Sequence, residues 1–129
     1  MKIGYLITAR MKSTRLPKKL TLNILDREVI KWMIDRLKLS NNLNEIIICT
    51  STNSQDDILE KIALDENIKV YRGHENDVIQ RLYDASIYFD LDYALNITAD
   101  CPLVSIKYIS NIISEYKKSN ADLIRTLDL

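Results

Sequence analysis

Short apolar runs alternate along this chain with segments whose apolar residues recur at the spacing of an α-helix. The runs are nearly continuous and rich in β-branched residues, which is typical of strands that are buried on both faces of a parallel sheet. Strands are predicted at 3–8, 44–50, 68–71 and 93–98, and a further strand is expected to begin at Asp122 and reach Leu127. This alternation predicts an α/β fold with right-handed crossovers and a mostly parallel sheet.

Four amphipathic segments lie between or after these strands, each with an apolar stripe that would pack on the sheet. The stripes run over 29–37, 58–63, 78–89 and 106–116. Ser54, followed by Asp57, predicts an N-cap for the second helix, and Ser105 predicts one for the fourth.

Length and charge limit the functions that this chain can have. A chain of 129 residues suits one compact domain, so we expect residues 1–129 to form a single unit. Equal numbers of basic and acidic residues, 18 each, argue against non-specific nucleic-acid binding, which needs a basic excess. The N-terminal apolar run is too short to span a bilayer, and two cysteines suit a reducing compartment. We therefore expect a cytoplasmic protein with no nucleic-acid or membrane partner.

A strongly basic segment follows the first predicted strand. Residues 9–19 contain five cations and no carboxylate. Loops at the carboxyl ends of parallel strands bind phosphates in α/β proteins, so the segment predicts an anion site. Arg10, Arg15 and Lys19 are separated cations that suit a triphosphate, and the hydroxyl of Ser13 lies between them. The alternative is a solvated basic loop. With only two glycines in the chain, side chains would bind the phosphates more than a glycine-lined backbone would.

Three further loops are expected at the same edge of the sheet, at 51–53, 72–77 and 99–104. Asp100 follows the fourth strand and can be a Mg²⁺ ligand, because Mg²⁺ prefers carboxylate and phosphate oxygens and needs few protein carboxylates. A turn-forming or helix-capping aspartate is the alternative. Arg72 and Arg81 are weaker candidates for binding an anion. Arg81 would equally pair with Asp77, one helical turn earlier.

Three segments of the chain resemble the sugar-acid cytidylyltransferases, the family that activates 3-deoxy-manno-octulosonate and sialic acids. Residues 7–20 resemble its opening signature, an apolar strand, Ala-Arg, and then Ser-x-Arg-Leu-Pro-Gly-Lys, with Lys18 in the place of the glycine. Residues 71–82 resemble the Arg-Gly…Asp-Val-Leu-x-Arg segment of the spore-coat polysaccharide branch, and residues 96–104 resemble its Thr-x-Asp-x-Pro-Leu element.

The resemblance implies a three-layer Rossmann-like nucleotidyltransferase fold and a specific reaction. A sugar acid would be activated with CTP to give a CMP-sugar and pyrophosphate, in surface polysaccharide biosynthesis. It implies catalytic roles for Arg10, Lys19 and Asp100, with Mg²⁺ bound by Asp100. Nucleotide contacts are expected from a larger set: Ala9, Arg10, Ser13, Arg15, Lys19, Arg72, Arg81 and Thr98. Ser51 and Thr98 are candidates for contacting the cytosine.

Members of this family are considerably longer than 129 residues, which leaves two alternatives open. The chain is either the N-terminal, nucleotide-binding part of a cytidylyltransferase or a catalytically inactive nucleotide-binding or partner module of the same fold. An enzyme that acts on another sugar or on an alditol phosphate is a related alternative. CTP and a sugar acid are the expected ligands, and a homodimer is consistent with the resemblance.

Overall fold

The computed structural model describes residues 1–126 and is built around a parallel sheet of four strands. The strands of the chain are β1 (Ile3–Thr8), β2 (Asn23–Ile24), β3 (Arg27–Glu28), β4 (Glu45–Ser51), β5 (Lys69–Gly73) and β6 (Tyr93–Thr98). The main sheet has the order β5-β4-β1-β6, and all of its pairs are parallel. The predicted α/β fold is therefore confirmed. The sequence prediction missed β2 and β3, which form a small antiparallel hairpin.

Helices cover both faces of the sheet. They are α1 (Val29–Leu37), α2 (Asp57–Asp65), α3 (Val78–Tyr88) and α4 (Ile106–Lys118). Successive strand residues point to opposite faces, and Ile7 and Leu6 accordingly belong to different apolar clusters. The larger cluster joins Ile7 to α1, α2 and α4, whereas Leu6 packs with Ala85 of α3. The result is three layers, with α3 alone on the second face.

Several local expectations were wrong. Residues 122–126 lie outside any strand, although they line a cavity beside the β6 edge, and Leu127 lies outside the described residues. They are not hydrogen-bonded into the sheet, in which β6 is an edge strand among residues 1–126. In α3 the predicted stripe is only partly buried, since Val78 and Ile79 are exposed.

The helix caps were predicted with mixed success. Ser105 caps α4 by accepting a hydrogen bond from the Tyr108 amide, as expected. Ser54 does not cap α2. Instead the Asn53 side chain accepts from the Gln55 amide and opens a 3₁₀ turn that leads into the helix. Among residues 1–126, no helix has both the length and the apolar character needed to cross a bilayer.

Positive backbone φ angles occur at residues other than glycine. Lys18, Leu25, Asn67 and Asp90 have φ angles between 53° and 59°, in the left-handed region. Asparagine and aspartate tolerate this region, whereas lysine and leucine adopt it at a cost. The chain thus makes its tight turns without the glycines that usually occupy them.

Candidate nucleotide site at the carboxyl edge of the sheet

The parallel strands bring the predicted loops to one edge. Thr8 of β1 is paired in register with Thr98 of β6, and the Ala99 amide donates to the Thr8 carbonyl at 3.0 Å. On the other side of β1, the Ala9 amide donates to the Cys49 carbonyl at 3.1 Å. Arg10 and Asp100 each lie two residues beyond adjacent strands, so both are at the carboxyl edge.

Lys19 and Asp100 form an ion pair at this edge. Lys19 Nζ lies 2.6 Å from Asp100 Oδ2, and Thr98 Oγ1 donates to Asp100 Oδ1 at 2.7 Å. The hydrogen bond from Lys19, followed by that from Thr98, lowers the pKa of Asp100 below its ordinary value. The two charged side chains are 36% and 39% exposed, so a ligand can reach both of them. The pair is therefore an ionised and accessible cation and carboxylate.

The turn before Lys19 keeps the shape that a glycine would favour. Lys18 has φ 56° and ψ 26°, in the left-handed region. The Thr21 amide donates to the Lys18 carbonyl at 3.0 Å, and the buried side chain of Leu20 anchors the 3₁₀ turn Lys19–Thr21. The replacement of glycine by lysine in the signature therefore leaves Lys19 at the edge of the sheet.

Arg10 is held by a buried carboxylate that the sequence prediction missed. Arg10 Nε donates to Asp56 Oδ2, and Asp56 is fully buried. The Met11 amide donates to Asp56 Oδ1 at 2.8 Å, and Ser51 Oγ donates to Oδ2. Burial alone would raise the pKa of Asp56, but the bonds from Met11 and Ser51 and the charge of Arg10 outweigh it and lower the pKa. Asp56 is thus an ionised buried anchor.

The other end of the Arg10 guanidinium faces Glu75. Arg10 Nη1 donates to the Glu75 carbonyl, and Nη2 lies 3.2 Å from Glu75 Oε1. Asn53 Nδ2 also donates to Oε1, at 3.1 Å. The Glu75 side chain is 42% exposed, whereas that of Arg10 is 18% exposed. A ligand would therefore reach Arg10 from the side that Glu75 occupies.

The two weaker arginine candidates have structural contacts. Arg72 Nε and Nη2 donate to the carbonyls of Ser51 and Asn53 at 2.9 Å, and its guanidinium also forms ion pairs with Asp57 and Glu60. These bonds join the end of β4 to α2 and β5. Nucleotide binding by Arg72 stays a prediction.

One alternative from the sequence was that Arg81 pairs with Asp77. The structure does not contain this pair. Asp77 instead caps α3 by accepting from the Gln80 amide. Arg81 is fully buried, and its Nη1 donates to the His74 carbonyl at 2.7 Å. Among the described residues, Nε and Nη2 of Arg81 have no hydrogen-bond partner. Because no atom of Arg81 is exposed, the structure does not place it where a nucleotide could contact it.

The remaining candidates divide by exposure. Arg15 is exposed, and Ser13 Oγ accepts from the Leu16 amide at 3.3 Å. Ala9 is buried, so that only its backbone is near the edge. Ser51 is fully buried and its Oγ donates to Asp56, so the cytosine contact expected of it stays a prediction. Thr98 is exposed, beside Asp100.

One sequence signal could have identified Asp56. It precedes Leu59 by three residues and Ala63 by seven, which places it on the same face of the helix as these buried side chains. A carboxylate on the buried face of a helix needs a partner. Its neighbour Asp57 lies on the exposed face. Only their positions relative to the helical period distinguish the two aspartates.

Asp100 fits the predicted cation by its chemistry. Carboxylate and phosphate oxygens are the ligands that Mg²⁺ prefers, and one protein carboxylate is enough when a nucleotide supplies the rest. Within residues 1–126, no group of three or more His, Cys, Asp or Glu side chains is arranged to hold a metal ion by itself. Mg²⁺ binding by Asp100 together with a bound triphosphate stays a prediction.

The fold and this edge define a class of protein, a Rossmann-like α/β protein whose carboxyl-edge loops carry cations and an accessible carboxylate. The family model described as "Cytidylyltransferase" matches residues 5–128. The chain belongs to the cytidylyltransferase family.

Among the similar curated proteins, one carries the name of a cytidylyltransferase. The chain is 35% identical over its whole length to an uncharacterised protein of Methanocaldococcus jannaschii, of which it covers 53%. It is 27% identical to the spore coat polysaccharide biosynthesis protein SpsF of Bacillus subtilis, with 93% of the chain and 52% of the relative covered. It is 29% identical to the 3-deoxy-manno-octulosonate cytidylyltransferase of Francisella tularensis subsp. novicida, with 83% and 43% covered. The chain thus spans about half the length of the curated relatives it matches.

Solved structures share the fold. A cytidylyltransferase from Leptospira borgpetersenii is 37% identical, with a TM-score of 0.88 over 93% of this chain and 50% of its own. A CMP:2-keto-3-deoxy-manno-octonic acid synthetase complexed with CTP is 20% identical, with a TM-score of 0.77 over 94% and 49%. A 4-diphosphocytidyl-2C-methyl-D-erythritol synthase is 13% identical, with a TM-score of 0.71 over 89% and 54%. The last two show likeness of fold alone.

Proposed function

We propose that this chain binds CTP·Mg²⁺ at the carboxyl edge of its sheet and forms the nucleotide-binding part of an enzyme that transfers CMP to a sugar acid. The observation that carries the proposal is the Lys19–Asp100 pair beside the basic loop. Both side chains are charged and partly exposed, and they lie where Rossmann-like proteins bind nucleotides. Family membership supports the choice of CTP.

The reaction would be a nucleotidyl transfer. A hydroxyl oxygen of the acceptor forms a bond to the α-phosphorus of CTP. The bond from that phosphorus to the bridging oxygen breaks, pyrophosphate leaves, and the hydroxyl proton passes to solvent. Transfers of this type depend on positioning and on neutralising charge more than on covalent help from the protein.

The basic loop would supply the neutralising charges. On binding, Lys19 exchanges its bond to Asp100 for phosphate oxygens, and the freed carboxylate becomes available to the cation. Arg10 and Arg15 add charge around the leaving pyrophosphate, with Arg10 suited to two parallel hydrogen bonds. Mg²⁺ held by Asp100 would offset the negative charge of the phosphates.

The acceptor is proposed from the relatives rather than from the site. SpsF is named for spore coat polysaccharide biosynthesis, and the Francisella relative is named for 3-deoxy-manno-octulosonate. The second name favours an acidic sugar as the acceptor, and the first favours a role in the biosynthesis of a surface polysaccharide. An alditol phosphate stays the second acceptor class, as the alternative that the sequence left open.

Titration calorimetry with CTP·Mg²⁺ tests the nucleotide part of the proposal. Replacing Lys19 or Arg10 with alanine removes a charge-assisted bond to phosphate, so affinity should fall by at least about tenfold in each variant. Lys12→Ala is the matched control, because Lys12 is an exposed cation of the same loop and should matter little. Equal losses of affinity in all three variants would mean that the loop contributes only general electrostatic attraction to the nucleotide.

Pyrophosphate release tests the transfer itself. Wild-type protein would be incubated with CTP, Mg²⁺ and a panel of octulosonic acids, nonulosonic acids and alditol phosphates. Release that depends on one acceptor class identifies the substrate. Tight CTP binding without release from any acceptor would support the inactive binding module instead.

A further inference from the structure

A buried carboxylate at the candidate site has a geometry that suggests a role in ligand binding. Asp56 is fully buried, at the 3₁₀ turn before α2, and its two oxygens accept from Met11 N, Ser51 Oγ and Arg10 Nε. A buried charge is costly unless it is paired and hydrogen-bonded. Here it is satisfied, and one of its partners is the first cation of the basic loop.

The contact between Asp56 and Arg10 uses one end of the guanidinium, and Glu75 occupies the other end. Nε donates to Asp56, whereas Nη1 and Nη2 face Glu75. The Glu75 carboxylate is 42% exposed and is within reach of water, while Asp56 is 0% exposed. An incoming phosphate would displace the Glu75 carboxylate and leave the bond to Asp56 in place.

We propose that Asp56 is a positioning residue for the nucleotide, which fixes the Arg10 guanidinium so that its Nη edge faces the triphosphate. The inference rests on the proposed CTP site and deepens it. An unrestrained arginine loses rotamer freedom when it binds a ligand. Because Asp56 orders Arg10 before CTP binds, the rotamer entropy of Arg10 is lost on folding and not on binding. Without Asp56 we expect CTP affinity to fall by about tenfold.

Glu75 provides a matched control with the opposite expectation. Asp56→Asn and Glu75→Gln each remove one negative charge next to Arg10 and change few other atoms. If charge alone mattered, both variants would bind the CTP anion more tightly. Positioning predicts that Asp56→Asn binds about tenfold more weakly, whereas Glu75→Gln binds as tightly as the wild type or more tightly.

A double-mutant cycle separates positioning from general damage to the fold. In the Arg10→Ala background, Asp56→Asn should cause no further loss of CTP affinity, because the group that it positions is gone. A purely structural role of Asp56 would produce the same loss in both backgrounds.

Arg10→Lys tests the idea without touching Asp56. Lysine keeps the positive charge but has a single ammonium group, which cannot bond to Asp56 and also present a planar edge to a phosphate. We expect Arg10→Lys to bind CTP·Mg²⁺ about as weakly as Arg10→Ala. This variant keeps the inference testable even if Asp56→Asn fails to fold.

Calorimetry on the full chain with CTP·Mg²⁺ decides each outcome. The inference is overturned if Asp56→Asn folds and binds as tightly as the wild type, if its loss persists in the Arg10→Ala background, or if Arg10→Lys matches the wild type. Those results leave the proposed function standing. If the wild type itself does not bind CTP·Mg²⁺, the proposed function fails, and the inference falls with it.

Discussion

Two adjacent aspartates should differ greatly in their contribution to stability. Replacing Asp56 with alanine leaves the Met11 amide, the Ser51 hydroxyl and one end of Arg10 without their acceptor. Each buried donor left unpaired costs about 1–3 kcal/mol. Arg10 is 18% exposed and can recover some hydration, so its share is smaller. Removing one partner of a buried ion pair typically costs about 3–5 kcal/mol, and we expect Asp56→Ala to fall in that range.

Asp57→Ala is the matched control. Asp57 is 65% exposed, and its ion pair with Arg72 is a surface pair at 2.7 Å. Such pairs contribute about 0–1 kcal/mol. A position in the first turn of α2 adds a similarly small interaction with the helix dipole.

Urea unfolding at pH 7, followed by far-ultraviolet circular dichroism, would measure both variants. The expected result is a midpoint for Asp56→Ala well below that of the wild type, with the midpoint of Asp57→Ala nearly unchanged and similar slopes for all three. Equal losses in the two variants would refute the assignment of Asp56 as a buried anchor.

Three further predictions follow from the described contacts. Because the folded-state pKa of Asp56 is lowered, the stability that it contributes is present above its ordinary value of about 4 and is lost as the pH falls below that. The stability advantage of the wild type over Asp56→Asn should therefore shrink below about pH 4 in acid unfolding, and an advantage that grows there would contradict this. Arg81→Met should not lower the free energy of unfolding, because it removes a buried charge of which two nitrogens have no hydrogen-bond partner among residues 1–126. Arg72→Met should lower it, because Arg72 bonds to the Ser51 carbonyl and to Glu60. The reverse order in urea unfolding would count against this. Leu25→Gly should raise the unfolding free energy by up to about 1 kcal/mol, because glycine adopts a positive φ without strain. Asn67→Gly should give a smaller gain. A lower thermal stability of Leu25→Gly would contradict this expectation.

The fold was readable from the sequence where buried strands dominate. The run that became β1 is apolar on both faces and that of β6 is apolar on one face, and their predicted bounds, 3–8 and 93–98, agree with the structure. The β2–β3 hairpin gave little signal, because its strands have two residues each and its turn uses Leu25 where glycine is usual. Periodicity also failed for Ile79, an apolar residue on the exposed side of α3.

The candidate site was predictable in location but not in its internal contacts. A parallel sheet brings the ends of its strands together, so the edge that carries Arg10 and Asp100 follows from topology alone. The partners of Arg10 come from elsewhere, since Asp56 precedes α2 and Glu75 follows β5. Such contacts depend on side-chain geometry between segments that are distant in sequence. For the same reason, the sequence did not reveal that Arg81 is buried, although its residue type fitted an anion site.

CTP is proposed to bind at the carboxyl edge of the sheet, between the basic loop and Asp100. Mn²⁺ in place of Mg²⁺ broadens the NMR signals of nearby nuclei, which would locate the bound nucleotide in ¹⁵N-labelled protein. We expect Mn²⁺·CTP to broaden the amide signals of Lys19, Thr98 and Asp100. The signals of Asn44 and Asn67, which line a cavity of about 330 Å³ at the amino edge, should stay sharp. Broadening at the amino edge instead, or equally across the sheet, would contradict CTP binding at the carboxyl edge.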